Sequence, residues 1–143
     1  QTGKYYEREM DEFMRGRDAR GIWRGAFIER MDLAYAAADI VVARSGAGTV
    51  SELCLVGKAV VFVPSPNVAE DHQTKNAMAL ADRGAALVVP DREAVARVFS
   101  EAGRLLADDA MRSEMEKNIR ALAVADSADR VADEILKVVK RSE

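Results

Sequence analysis

The sequence predicts an α/β fold: a parallel sheet flanked by helices, followed by a helical tail. Three apolar runs, at 39–43, 59–63 and 85–89, are rich in β-branched residues and lack polar alternation, as do strands covered on both faces. Helical periodicities lie between them, and strands that alternate with helices imply βα units and a parallel sheet. With 49% hydrophobic and 31% charged residues, the composition suits a packed fold. Aromatics make up only 6%, so small residues such as the many alanines must fill the space between helices and sheet.

Gln1-Thr2-Gly3-Lys4 reads as a strand-to-helix loop, and a helix over 5–14 follows it. A weaker strand is expected over 21–27, carrying Ile22, Trp23 and Phe27. An Ala-rich helix over 31–38 leads into the 39–43 strand, a glycine-rich loop and a helix over 50–56. The 59–63 strand leads through a loop with two prolines into a helix over 71–83, with Gly84 as its stop. After the 85–89 strand, three sets of residues recur at helical spacing: Val95, Val98, Phe99, Ala102 and Leu106; Met111, Met115, Ile119 and Leu122; Val131, Ile135 and Val138. There is no internal repeat, and 143 residues suit one domain.

The net charge of -3, with acidic and basic residues mixed, argues against nucleic-acid binding by a broad basic field. A single anionic small molecule can still be held by backbone dipoles at a helix start. The one cysteine, Cys54, cannot form an internal disulfide and reads as a small buried hydrophobe. No segment resembles a signal peptide, and no apolar stretch approaches the roughly 20 residues of a membrane span. The default expectation is therefore a cytoplasmic protein.

The most informative stretch is Arg44-Ser45-Gly46-Ala47-Gly48-Thr49-Val50-Ser51-Glu52. It follows a strand and opens a helix, at the carboxyl edge of the sheet where open α/β folds bind ligands. Gly46 and Gly48 allow a tight turn and a close approach, and the free amides of the first helical turn suit a phosphate or diphosphate. Thr49 and Ser51 add hydroxyl donors. Two readings of Glu52 stand side by side. Thr49 to Glu52 matches a capping box, in which the carboxylate folds back onto its own helix start. Alternatively Glu52 accepts from the two hydroxyls of a ribose, away from the phosphates that would repel it.

A second stretch runs from Pro64-Ser65-Pro66-Asn67 through Val68-Ala69-Glu70-Asp71 to His72-Gln73-Thr74-Lys75-Asn76-Ala77. Its prolines force an extended loop, and Asp71 reads as a helix N-cap. His72, Gln73 and Asn76 fall on neighbouring positions of one turn and offer the donors and acceptors that read sugar hydroxyls. His72, the sole histidine, also reads as a plain surface or capping residue, and with no second ligand at the right spacing it does not suggest a metal site. Phe27, in Gly25-Ala26-Phe27-Ile28, is either core or a surface on which a flat base packs. The chain has no dinucleotide-binding G-x-G-x-x-G, Walker lysine motif or nucleophile elbow.

Taken together, Ala38-Asp39-Ile40-Val41-Val42-Ala43-Arg44 with the following turn through Glu52, Val63-Pro64 with its loop, and Asp71 to Ala77 resemble the C-terminal domain of the MurG family. Gln1-Thr2-Gly3-Lys4 and Phe27-Ile28 match in order and spacing, so the likeness spans nearly the whole chain. It implies a Rossmann-like domain of a two-domain, GT-B, inverting glycosyltransferase, peripheral on the inner face of the plasma membrane. Such enzymes transfer N-acetylglucosamine from UDP-N-acetylglucosamine to the lipid-linked muramoyl-pentapeptide of peptidoglycan synthesis. By this resemblance Ile28 binds the uracil edge with Phe27 beside the base. Gly46, Ala47, Gly48 and Thr49 face the diphosphate, and Glu52 holds the ribose. His72 and Gln73 contact the sugar, with Asn76 in support. No cofactor and no metal are expected, because helix-terminal amides take that part.

The resemblance also implies that residues 1–143 form a partial C-terminal domain, without its first strand, its glycine-rich phosphate loop or the acceptor-binding N-terminal domain. No catalytic residue is expected here, and the piece alone should be inactive. In a sheet of order 3-2-1-4-5-6 the two absent strands lie between the 21–27 and 39–43 strands, so a gap or a rearranged, exposed edge is expected. The alternatives are a non-catalytic nucleotide-sugar-binding module, or another GT-B enzyme such as a nucleotide-sugar epimerase.

Overall fold

The structure, a computed structural model, describes residues 1–66 and 71–140; Asn67, Val68, Ala69 and Glu70 of the second motif lie outside the described residues. The chain divides into two compact units, residues 1–38 and 39–143.

The first unit contains α1 (Gly3–Met14) and α2 (Met31–Ala37). α1 buries no side chain, and Tyr5, Tyr6 and Phe13 are all exposed. No strand forms over 21–27, contrary to the sequence expectation. The carbonyls of Gly25 and Ala26 accept instead from the amides of Thr2 and Gly3, both at 3.0 Å. An extended segment becomes a strand only when a neighbour completes its ladder, and no ladder partner for 21–27 is present among the described residues. Gly21 is left-handed, Ile22, Trp23 and Phe27 are exposed, and Arg24, Gly25 and Ala26 are only half-buried, so no face of this segment is fully covered. Arg24 pairs with Asp11 and holds the segment against α1.

The second unit carries the predicted sheet. β1 (Val41–Ala43), β2 (Val60–Phe62) and β3 (Leu87–Val88) are parallel in the order β1-β2-β3, with Val41 beside Val60, Val42 beside Val61, and Val61 beside Leu87. The crossovers are α3 (Ala47–Val56) and α4 (His72–Ala81). A 3-10 turn at Asp91–Glu93 leads into α5 (Ala94–Ala107), followed by α6 (Asp109–Arg120) and α7 (Ser127–Lys140).

The central strand fits the both-faces-covered pattern: every residue of β2 is buried. Side chains alternate across the sheet. Ala59, Val61 and Val63 accordingly join Val89, Leu105 and Met115 in one core with α5 and α6, while Val60 and Phe62 point to the opposite face. β1 departs from the pattern. Val42 shares the face of Val61 yet is 48% exposed, because β1 is paired on one side only among the described residues. Fully buried Ala59, Ala77 and Ala85 do much of the close packing, as the low aromatic content requires.

Helix ends follow local chemistry. α3 ends on Gly57, left-handed at φ 67°, whose amide donates to the Leu53 carbonyl at 2.9 Å. Gly84 (φ 63°) follows α4, and the Ala85 amide reaches back to the Leu80 carbonyl at 2.9 Å. Asp108 caps α6 by accepting from the Met111 amide at 2.9 Å.

Candidate functional site

The geometry begins at the carboxyl end of β1. α3 starts at Ala47, three residues earlier than the sequence suggests, because Gly46 takes an extended conformation (φ -62°, ψ 150°) and its carbonyl accepts the Val50 amide at 3.0 Å. This removes the capping-box reading: Thr49 is the third helical residue, not the cap, and the N-cap position is held by Gly46, which has no side chain to accept a bond. The amides of Ala47, Gly48 and Thr49 fall in the first turn, where helix geometry gives them no acceptor within the helix. Ala47 and Gly48 are exposed, and Gly46 and Thr49 half-buried. A Cβ at Gly46 or Gly48 would meet no atom within 4 Å, and neither has a positive φ, so the fold itself demands glycine at neither place. Glu52 is exposed one turn after Gly48, on the same side of the helix.

Ser45 joins this turn to the second motif. Its side chain is fully buried, and its hydroxyl donates to the Gln73 carbonyl at 2.8 Å. Asn76 Nδ2 donates to the Ser45 carbonyl at 3.1 Å. Gln73 Oε1 accepts from the Ser65 amide at 2.9 Å. The structure thus gives Gln73 and Asn76 a definite duty, fastening the β1–α3 turn and the loop after β2 to the start of α4. His72 stands exposed at the first position of α4. Asp71 occupies the N-cap position as expected but is left-handed (φ 54°) and makes no side-chain cap bond.

Arg44 and Asp91 complete the edge. The Arg44 guanidinium Nη1 donates to the carbonyls of Val63 at 3.0 Å and Pro64 at 3.2 Å, and pairs with Asp91. Sequence reading passed over Arg44, Ser45 as a fastener, Ser65 and Asp91. The available signal was Arg44 itself, since a guanidinium directly after a strand stands beside the strand-end carbonyls it can donate to.

In the first unit, Phe27 is 57% exposed, which overturns its reading as core, and the Lys4 ammonium lies 6.0 Å from its ring centre. Ile28 is half-buried. Cys54 is buried as expected, and burial pushes its thiol above the usual range. A groove of about 490 Å³ opens beside the start of α4, lined by Pro64, Pro66, Asp71, Thr74 and Met78 among others. None of the residues singled out as ligand contacts lines it. Those of the second unit follow the ends of β1 and β2 in the chain, on α3 and at the start of α4. Among the described residues no helix is long and apolar enough to cross a membrane.

Residues 1–131 match the family described as "Glycosyltransferase family 28 C-terminal domain". The chain is 46% identical over 141 residues to a Parabacteroides distasonis protein named UDP-N-acetylglucosamine--N-acetylmuramyl-(pentapeptide) pyrophosphoryl-undecaprenol N-acetylglucosamine transferase, covering 99% of this chain and 38% of that protein. A Bacteroides thetaiotaomicron protein of the same name is 48% identical, with 98% and 38% covered. The crystal structure of Acinetobacter baumannii MurG superposes with a TM-score of 0.79 at 34% identity, covering 94% of this chain and 39% of that one. The chain thus spans just over a third of the length of the relatives it matches.

Proposed function

This chain belongs to the family of glycosyltransferase family 28 C-terminal domains, and on that premise we propose that it supplies the donor site of an inverting transferase that moves N-acetylglucosamine from UDP-N-acetylglucosamine to a lipid-linked muramoyl-pentapeptide. The observation that carries the reading is the β1–α3 junction. It places three first-turn amides at the carboxyl edge of a parallel sheet, beside two glycines that the fold does not require and that leave open space above the backbone. A diphosphate fits there: the helix start presents partial positive charge to the leaving UDP, whose negative charge grows in the transition state.

In this reading Gly46, Ala47, Gly48 and Thr49 face the diphosphate, and Glu52, one turn along, accepts from the ribose hydroxyls. Phe27 and Ile28 receive the uracil. His72 contacts the sugar. Gln73 and Asn76 serve it from one side while holding the loops with the other. The acceptor and the general base belong to a second domain, and the complete enzyme acts peripherally on the inner face of the plasma membrane. The names of the relatives and the 34% identity to a MurG of the same fold support this assignment.

The test is a calorimetric titration of the full polypeptide with UDP-N-acetylglucosamine, and with UDP-glucose as the competitor donor. Binding is expected for the first and weaker binding for the second. Glu52→Ala should weaken binding about 10- to 100-fold, the worth of a charged hydrogen-bonding group, with little change in melting temperature because Glu52 is exposed and lies beyond the first turn of α3. Absence of UDP-N-acetylglucosamine binding by the unaltered protein would falsify the donor-site assignment.

A further inference from the structure

We infer that Arg44 is a positioning residue for the donor diphosphate, an inference that rests on the donor-site reading above. Its guanidinium reaches all three βα junctions of the sheet. Arg44 itself leads from β1 toward α3, its Nη1 donates to the Val63 and Pro64 carbonyls at the exit of β2, and it pairs with Asp91 at the exit of β3.

Physical chemistry explains why one cation suits this place. The strands of a parallel sheet end together, and their last carbonyls point out of the ladder without strand partners. A guanidinium is planar and always charged, and here one of its nitrogens, Nη1, shares its two hydrogens among the Val63 and Pro64 carbonyls and the Asp91 carboxylate. Asp91 neutralises the charge, so the staple adds no net positive field to the rim. Arg44 directly precedes Ser45, whose buried hydroxyl and carbonyl bond to Gln73 and Asn76. The turn that offers its amides at Ala47, Gly48 and Thr49 is therefore fastened twice where it leaves β1, by Arg44 across the sheet and by Ser45 onto α4. Amides fixed before the ligand arrives need no reordering when it binds.

The role differs from direct phosphate contact, and Asp91 separates the two. Were Arg44 a phosphate ligand held in reserve by Asp91, Asp91→Asn would release the guanidinium and tighten UDP binding. For a positioning residue, Asp91→Asn loosens the staple and weakens it.

The experiment uses the full polypeptide and has two arms. In the unliganded protein, Arg44→Gln is expected to speed hydrogen exchange of the Ser65 amide at least tenfold while the Val61 amide in β2 is unaffected. Unchanged exchange at Ser65 overturns the staple, whatever the ligands do. In titrations with UDP and with uridine, Arg44→Gln and Asp91→Asn should each weaken UDP at least tenfold and leave uridine unchanged, with Arg44→Lys in between. Equal losses for both ligands mark a merely structural residue, and tighter UDP binding by Asp91→Asn marks a direct contact; either result overturns the inference. If the unaltered protein binds no UDP, the donor-site reading fails, and the exchange arm still decides whether Arg44 fastens the three junctions.

Discussion

A single residue shows how stability and binding separate at this site. Gly48 sits in the first turn of α3 with negative φ and open space around its Cα, so the fold does not need glycine there. Replacing it with alanine reduces the disorder of the unfolded chain and favours helix, a gain of about 0.5–1 kcal/mol. The same methyl group stands where the proposed diphosphate must approach the backbone. Gly48→Ala is expected to raise the urea midpoint and to weaken UDP binding at least tenfold. A variant that is more stable and binds UDP as tightly as before would show that the open space above Gly48 is not used. Glu52 teaches the complementary lesson. Its sequence context allowed both a capping and a ligand role, and the start of α3 at Ala47 bears on the capping-box reading alone. The three-residue shift of the helix start to Ala47 came from the conformation of Gly46. No propensity scale resolves a boundary that finely.

At the scale of elements, the C-terminus of α3 and the charged face of α5 each make a measurable claim. Gly57 is left-handed, and a Cβ there would fall 2.3 Å from Arg120 Nε, while Arg120 Nη2 donates to the Val56 carbonyl at 3.1 Å. Gly57→Ala should cost about 1–2 kcal/mol from the backbone alone, and more from the displaced arginine, read as a lower midpoint of urea unfolding. Adding Arg120→Ala should recover the steric part and not the backbone part. On α5, hydrogen bonds from Arg104 (2.8 Å) and then Arg97 (3.3 Å) hold the Glu101 carboxyl below its ordinary range. A carboxylate whose folded pKa is depressed stabilises the fold above its unfolded pKa of about 4.3, and the contribution fades as pH falls through the lower folded value. Glu101→Gln should therefore be less stable than the parent at pH 7, with the difference shrinking below about pH 4. A constant difference across pH would exclude this linkage.

For the whole molecule, burial is unevenly shared. Of the buried apolar residues among those described, Tyr35 alone belongs to residues 1–38; the others, from Leu53 to Ile119, belong to residues 39–143. Local opening costs least where few apolar contacts must break. Amides of α1 should exchange with solvent by openings of lower free energy than those of β2, and proteases should cut first within 15–30. Equal protection of α1 and β2 would contradict this. α7 adds to the unevenness, since Val131, Ile135 and Val138 recur at helical spacing and are all exposed.

The sequence alone determined the order of elements in the second unit, the parallel sheet, the glycine stop after α4 and the βα junctions where the candidate site lies. These follow from short-range patterns: β-branched runs, helical periodicity, and glycines where the backbone turns left-handed. Membership of the family was legible in the motifs from Ala38 to Glu52 and from Asp71 to Ala77. Only the tertiary structure decided that 21–27 forms no strand, because a ladder needs a neighbour that local sequence cannot supply. It also decided that Gln73 and Asn76 fasten loops and that Arg44 spans three junctions. Those bonds join residues 8 to 47 positions apart, and such pairings exist only once the chain has brought the strand ends together.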